Sequence, residues 1–118
     1  MKQHIKQFFY FLEKKENKRA PLEVKLLNPK VFKIDPEDLD VKGNLDLNNL
    51  KIESLPDNLR VRGSLWLDDT PIKSLPNNLR VRGNLWLDNT PLAKNYTEGQ
   101  IRSMLEEKGG YVKGKIYL

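Results

Sequence analysis

Residues 55–74 read Leu55-Pro-Asp-Asn-Leu-Arg-Val-Arg-Gly-Ser-Leu-Trp-Leu-Asp-Asp-Thr-Pro-Ile-Lys-Ser74, and the next twenty read Leu75-Pro-Asn-Asn-Leu-Arg-Val-Arg-Gly-Asn-Leu-Trp-Leu-Asp-Asn-Thr-Pro-Leu-Ala-Lys94. The second stretch repeats the first almost unchanged, and a looser copy precedes them. Three sets of equivalent positions keep this phase: Pro36, Pro56 and Pro76; Leu39, Leu59 and Leu79; Phe32, Ile52, Ile72 and Leu92. Self-similarity at a fixed period of this length is the signature of a repeat architecture.

Each unit contains the motif Val-x-Gly-x-Leu-x-Leu, in which apolar residues alternate with small or polar ones. Period-two alternation predicts a half-buried strand. We expect one strand per unit, with the strands of successive units stacked in parallel. The leucines then form two buried columns, which comprise Leu45, Leu65 and Leu85 and, two residues on, Leu47, Leu67 and Leu87.

The same motif returns at the end of the chain after a longer interval. Residues 112–118 echo residues 81–87, but 31 residues later instead of 20. A helix accounts for the additional residues: Thr97-Glu-Gly-Gln100 is a capping box, and Gly109-Gly110 is a typical helix end. Ile101, Met104 and Leu105 then share one face of that helix.

The first 26 residues are predicted to cap the repeats. Apolar residues at 5, 8, 9 and 12 follow helical spacing and favour a helix over about residues 2–16. A repeat stack exposes an apolar cross-section at each end, so we expect this helix to cover the first repeat; docking to a partner is the alternative. Leu22, Val24 and Leu26 alternate, which predicts an edge strand.

The repeat resembles a known family. The pattern Leu65-x-Leu67-x-x-Thr70-x-Ile72-x-x-Leu75-Pro76-x-x-Leu79 resembles the short bacterial leucine-rich repeat. The repeat motif is also similar to that of small repeat proteins from tailed phages and bacteria. The resemblance covers residues 27–92 and the final strand. It implies a fold of the α/β class: a short, β-rich solenoid with a parallel sheet. It implies no shared reaction. The family's turn asparagine is replaced by threonine at 70 and 90 and by leucine at 50, so its asparagine ladder is expected to be replaced by hydroxyls or missing.

The chain length fits one domain. With 118 residues, 38% of them hydrophobic, we expect a single domain over residues 1–118. Its parts are an N-terminal helix and cap (1–26), leucine-rich repeats (27–94), and a C-terminal helix with the final strand (95–118). No apolar run is long enough to cross a bilayer, and the apolar run at residues 8–12 is shorter than a signal-peptide core. We therefore expect no membrane association and a cytoplasmic location, the host cytoplasm if the protein is phage-encoded.

The composition removes most enzyme chemistry. The chain has no cysteine and one histidine, His4, so thiolate metal sites, a cysteine nucleophile and a multi-histidine site are excluded. No phosphate-binding glycine motif occurs, and the repeated glycines are structural positions. We predict a protein without catalytic residues, metal or cofactor.

Strand alternation also predicts which side chains face outward. One outward column is basic and contains Lys42, Arg62, Arg82 and Lys113. A second column is polar, with Asn44, Ser64, Asn84 and Lys115. A third contains Asp46, Trp66, Trp86 and Tyr117 and places both tryptophans of the chain on neighbouring strands. Tryptophan, tyrosine and arginine dominate the energetics of protein interfaces.

These columns point to a binding face. We predict a non-enzymatic module that binds a protein partner bearing an acidic patch, with Trp66 and Trp86 as anchors, Arg62 and Arg82 as polar clamps, and the remaining members of the first and third columns around them. The net charge is +5, but residues 34–94 carry −2, which is too little positive charge for a broad nucleic-acid surface. The resemblance to phage proteins implies an accessory protein that inhibits or redirects a host protein, for example a defence factor.

Two other functions remain open. Single-stranded nucleic acid could bind through the basic column and the tryptophan pair. Alternatively, the tryptophans could mediate self-association in a structural role. We expect a monomer rather than a homodimer, because the outward lysines discourage edge pairing.

Overall fold

A computed structural model describes residues 21–28 and 33–118 of the chain. The helix predicted over residues 2–16 lies outside the described residues. The chain divides into two compact units, residues 1–35 and residues 36–118. The repeats that carry the predicted binding face belong to the second unit. In the described part of the chain, no helix combines the length and the apolar character needed to span a bilayer.

The first unit contains a helix where the sequence predicted an edge strand. Helix α1 spans Leu22–Leu27 and begins directly after Pro21. The strand prediction is wrong because a six-residue segment with apolar residues at 22 and 26 fits helical spacing as well as alternation. Leucine, lysine and glutamate also favour helix, whereas proline is tolerated at a helix start. Leu27, the first residue of the predicted leucine-rich repeats, lies in this helix and is 43% exposed.

The second unit is built from short parallel strands that repeat along the chain. A 3-10 helix, Pro36–Leu39, precedes them. The strands are β1 (Asp40–Val41), β2 (Leu45–Asp46), β3 (Arg60–Val61), β4 (Leu65–Trp66), β5 (Arg80–Val81), β6 (Leu85–Trp86), β7 (Tyr111–Val112) and β8 (Ile116–Tyr117). Odd-numbered strands form one four-stranded sheet, sheet A, and even-numbered strands form another, sheet B. The α/β class and the repeated parallel strands agree with the sequence prediction.

Each repeat contributes two strands rather than the single strand predicted. The chain bends between them at a glycine, so Val-x-Gly and Leu-x-Leu join different sheets. The glycines stack: Gly63 N–H donates to Gly43 O at 3.0 Å, Gly83 N–H to Gly63 O at 2.9 Å, and Gly114 N–H to Gly83 O at 2.9 Å. The backbone ladder therefore continues through the bend.

The core consists of aligned apolar columns, as the repeat predicts. Parallel pairing joins Leu45 to Leu65, Leu65 to Leu85, and Leu85 to Ile116. The inward residues of both sheets and of the return segments are buried: Leu45, Leu47, Ile52, Leu55, Leu59, Val61, Leu65, Leu67, Ile72, Leu75, Leu79, Val81, Leu85, Leu87, Leu92, Val112 and Ile116. At about 1.5–3 kcal/mol per fully buried aliphatic side chain, these columns are the main favourable term in stacking the repeats.

The longer C-terminal interval contains two helices. Helix α2 spans Pro91–Asn95, and Thr90 is its N-cap. The sequence pattern indicated only a turn at Thr90. Helix α3 (Glu98–Glu107) has the predicted capping box, with Thr97 N–H donating to Gln100 Oε1 at 2.9 Å and Gln100 N–H to Thr97 Oγ1 at 3.3 Å. The capping box and the helix are confirmed. Gly109 ends this segment at φ +78°.

One arginine ties helix α3 to the strands that follow it. Arg102 Nη1 donates to Val112 O at 2.8 Å, and its Nη2 donates to Gly114 O at 2.6 Å. Its Nε donates to Glu98 Oε2 at 3.1 Å. The helix is thereby anchored beside the last repeat motif, and Tyr111 returns to the register position opposite Arg80.

Candidate partner-binding surface

The outward face of sheet B carries an aromatic strip, defined by Trp66, Trp86 and Tyr117. Parallel register places Trp66 beside Trp86 and Trp86 beside Tyr117. The rings of Trp86 and Tyr117 are stacked, with centroids 3.9 Å apart and planes inclined by 17°. All three side chains are half-buried rather than fully exposed. A preformed row of rings loses little conformational entropy on binding, which favours a contact surface.

The first repeat interrupts the strip with a carboxylate. Asp46 occupies the equivalent position on β2 and pairs with Trp66 in register. It is exposed, and its Oδ1 accepts a hydrogen bond from Asn48 N–H at 3.0 Å. The strip therefore ends at an acidic edge on this side.

The polar column beside the strip has a structural role within the repeats. Asn44 Oδ1 accepts from Ser64 N–H at 2.8 Å, Ser64 Oγ from Asn84 N–H at 3.0 Å, and Asn84 Oδ1 from Lys115 N–H at 2.9 Å. Each side chain thus extends the ladder to the next repeat. These atoms are already occupied, so they are not candidates for partner contacts.

The predicted basic column lies at the bend between the two sheets. Lys42, Arg62, Arg82 and Lys113 are all exposed. Arg62 pairs with Asp40 of the preceding repeat through two hydrogen bonds, Nε to Oδ1 at 3.2 Å and Nη2 to Oδ2 at 3.0 Å. Arg82 has no carboxylate partner among the described residues. The structure thus brings the basic column and the aromatic strip onto adjacent parts of the same repeats.

Sequence reasoning missed a second set of outward residues on sheet A. Arg60 and Arg80 pair in register on β3 and β5, with Asp40 on one side and Tyr111 on the other. Along the sequence, each precedes an arginine of the basic column by two residues, with an inward valine, Val61 or Val81, between them. Extending the period-two alternation one step toward the N-terminus would have found them.

Four arginines consequently meet on one face. A shallow cavity of about 100 Å³ lies there, and its lining comprises Asp40, Arg60, Val61, Arg62, Arg80, Arg82 and Tyr111. The Nε atom of Arg80 is buried and has no hydrogen-bond partner in the described part of the chain. Leaving a buried donor without an acceptor costs about 1–3 kcal/mol. We call these lining residues the arginine pocket.

The described residues contain no group of three or more histidine, cysteine, aspartate or glutamate side chains that could hold a metal ion. No family model, curated protein or solved structure matches the chain.

Proposed function

We propose that the chain is a leucine-rich-repeat solenoid of the short bacterial type that acts as a non-enzymatic protein-binding module. The observation that carries the proposal is the aromatic strip, in which the rings of Trp86 and Tyr117 are stacked and which lies on the same repeats as the exposed basic column. Aromatic anchors flanked by arginine are typical of the centres of protein interfaces. The twenty-residue strand register and the stacked leucine columns support the solenoid.

The partner in this proposal presents an acidic patch next to an apolar one. The basic column holds four cations, which favour and orient an acidic surface. Asp46 at the end of the strip disfavours a partner carboxylate there, so the acidic patch lies over the bend between the sheets. The resemblance to small phage repeat proteins supports one setting for this activity, an accessory protein that blocks or redirects a host protein in the bacterial cytoplasm.

An affinity pull-down from bacterial lysate tests the protein-binding function. We expect wild type to retain a partner that the Trp66→Ala/Trp86→Ala variant loses, because the variant removes two of the three rings. Arg82→Glu is the second variant: the Arg82 side chain is exposed, and charge reversal should also abolish capture. Tyr96→Ala is the matched control, since Tyr96 is 39% exposed and lies outside the strip.

Tyr96→Ala and the melting temperatures show whether a loss of capture is specific to the aromatic strip and the basic column. Capture must survive Tyr96→Ala, and the melting temperature of each variant must stay close to that of wild type. Identical sets of captured proteins for wild type, the double tryptophan variant and Arg82→Glu would remove this face as the binding site.

Single-stranded nucleic acid is the second candidate. The observation that favours it is the clustering of four arginines beside stacked aromatic rings, a combination found in single-strand binders. Fluorescence anisotropy with labelled single-stranded DNA and RNA distinguishes the two functions. Salt-sensitive binding at micromolar concentrations that is lost in Arg62→Ala/Arg82→Ala would favour nucleic acid over a protein partner.

A further inference from the structure

The arginine pocket holds more positive charge than its own carboxylate can neutralise. Asp40 is the only acid among its lining residues, and it is paired with Arg62. Arg60, Arg80 and Arg82 have no carboxylate partner among the described residues. Like charges on adjacent strands repel one another, so an anion bound between them would offset this repulsion.

The repeat itself shows where an anion would bind. Asp40 of the first repeat forms a bidentate ion pair with Arg62 of the second. One step of twenty residues places Arg60 at the position of Asp40 and Arg82 at the position of Arg62. Where the first two repeats place a carboxylate opposite a guanidinium, the next pair of repeats therefore places two guanidiniums. An external oxyanion between Arg60 and Arg82 would supply the acceptor oxygens that Asp40 supplies to Arg62.

Arg80 adds an independent observation. It lies between Arg60 and Tyr111 in the register of sheet A, and it lines the same pocket. Its Nε is buried and has no hydrogen-bond acceptor among the described residues. A guanidinium presents Nε–H as part of a fork that matches two oxygens of a carboxylate or phosphate. Its two Nη groups are not buried in this way, so an oxyanion in the pocket would meet Arg80 through them, together with the other two guanidiniums.

The number of unpaired cations selects the kind of anion. A carboxylate brings one negative charge and two oxygens, which suffice for one guanidinium fork. A phosphate monoester brings about two negative charges and three terminal oxygens near pH 7. We propose that the arginine pocket binds a phosphate monoester, held by Arg60, Arg80 and Arg82. This site shares Arg82 with the basic column, but Arg60 and Arg80 lie on sheet A, and binding of a phosphate there does not require the protein partner proposed above.

Calorimetric titration of the purified chain with inorganic phosphate, at constant ionic strength, tests the site. We expect saturable binding of one phosphate and markedly weaker binding of acetate. Arg80→Gln should weaken phosphate binding roughly tenfold or more, because it removes one charge-assisted fork. Arg60→Gln, at an exposed side chain, should do the same without disturbing packing. Lys51→Gln is the control, since it removes one exposed positive charge outside the pocket and should leave the affinity within about twofold.

Further titrants identify the source of the phosphoryl group. Tighter binding of phosphoserine than of AMP assigns it to a modified side chain, and the reverse order assigns it to a nucleotide. Three results would overturn the proposal: no saturable phosphate binding, acetate binding as tightly as phosphate, or equal losses in Lys51→Gln and the two arginine variants. Tighter binding of an oligothymidylate without a terminal phosphate than of inorganic phosphate would also overturn it, in favour of a nucleic-acid backbone site.

Discussion

At the scale of single residues, two threonines close the turns that follow the Leu-x-Leu strands. Thr70 Oγ1 donates to Leu67 O, and Thr90 Oγ1 donates to Leu87 O, each at 2.7 Å. Both threonines are buried. These hydroxyls close the turn within one repeat, and the side-chain ladders between repeats are formed at other positions. Of the two expected outcomes for the asparagine ladder, replacement by hydroxyls is therefore the one observed at these turns.

Removing one of these hydroxyls gives a residue-scale prediction. Thr70→Val keeps the side-chain shape but removes the donor, so the buried Leu67 carbonyl loses this hydrogen bond. We expect the free energy of unfolding to fall by about 1–3 kcal/mol. Ser74→Ala is the control, because Ser74 is exposed, and it should change the free energy by less than about 0.5 kcal/mol. Urea unfolding measures both. Equal stability of Thr70→Val and wild type would contradict the structural role of the hydroxyl.

Asparagine and aspartate also set the backbone of the turns. Five of them adopt positive φ between 57° and 67°: Asn49, Asn58, Asp69, Asn78 and Asn89. These residue types tolerate the left-handed region because their short polar side chains bond locally. Here the bonds cross between repeats, from Asn78 Nδ2 to Asn58 Oδ1 at 2.9 Å and from Asn89 Nδ2 to Asp69 Oδ1 at 2.7 Å.

At the scale of the structural element, the glycine bend separates the two sheets. A Cβ atom built on Gly83 would lie 2.8 Å from both C and O of Gly63, closer than real Cβ contacts allow. A Cβ on Gly114 would lie 2.5 Å from Gly83 O. Close stacking of backbone on backbone at the bend therefore requires glycine in each repeat that follows another.

The first repeat offers a matched control for this requirement. Gly43 has nothing within 4 Å of a built Cβ, because no described repeat precedes it at the bend. We expect Gly83→Ala to lower the free energy of unfolding by about 1–3 kcal/mol, because the added methyl forces the repeats apart. Gly43→Ala should be neutral or slightly stabilising. Thermal melting of the two variants tests the difference. Similar melting temperatures for both would contradict the stacked bend.

At the scale of the whole molecule, each sheet has two edge strands. Within the described residues, β1 and β2 form one edge of sheets A and B, and β7 and β8 form the other. Unpaired edges invite pairing with another copy. Each of these strands is only two residues long, and exposed lysines at 42, 113 and 115 flank them. Short strands and lysines both discourage edge pairing.

We therefore predict a monomer in solution. Light scattering across a concentration series should give a mass near 13.8 kDa at micromolar protein. A stable mass of about twice that value would contradict the prediction. If Trp66→Ala then restored the monomer, the aromatic strip would be an interface between two copies, and the protein-binding proposal would need another surface.

The period of the sequence determined the parts of this protein that depend on local pattern. Alternation and the twenty-residue phase identified the inward leucine columns, the parallel register and the outward tryptophans, because each unit is an almost unchanged copy of the last. The Thr97 capping box likewise predicted helix α3, since its hydrogen bonds join residues three apart. These interactions lie within reach of sequence reasoning because they recur at constant spacing.

Only the tertiary structure decided how the repeats bend and which charges meet. The division into two sheets depends on glycine backbones that contact each other between repeats, a contact that periodicity alone does not show. The arginine pocket arises because Arg60 and Arg80 stack across strands while Asp40 neutralises only Arg62. At Leu22–Leu27 six residues fit both helical and strand spacing, so local pattern could not choose between them. The sequence specifies what each repeat contains, whereas stacking specifies which side chains become neighbours.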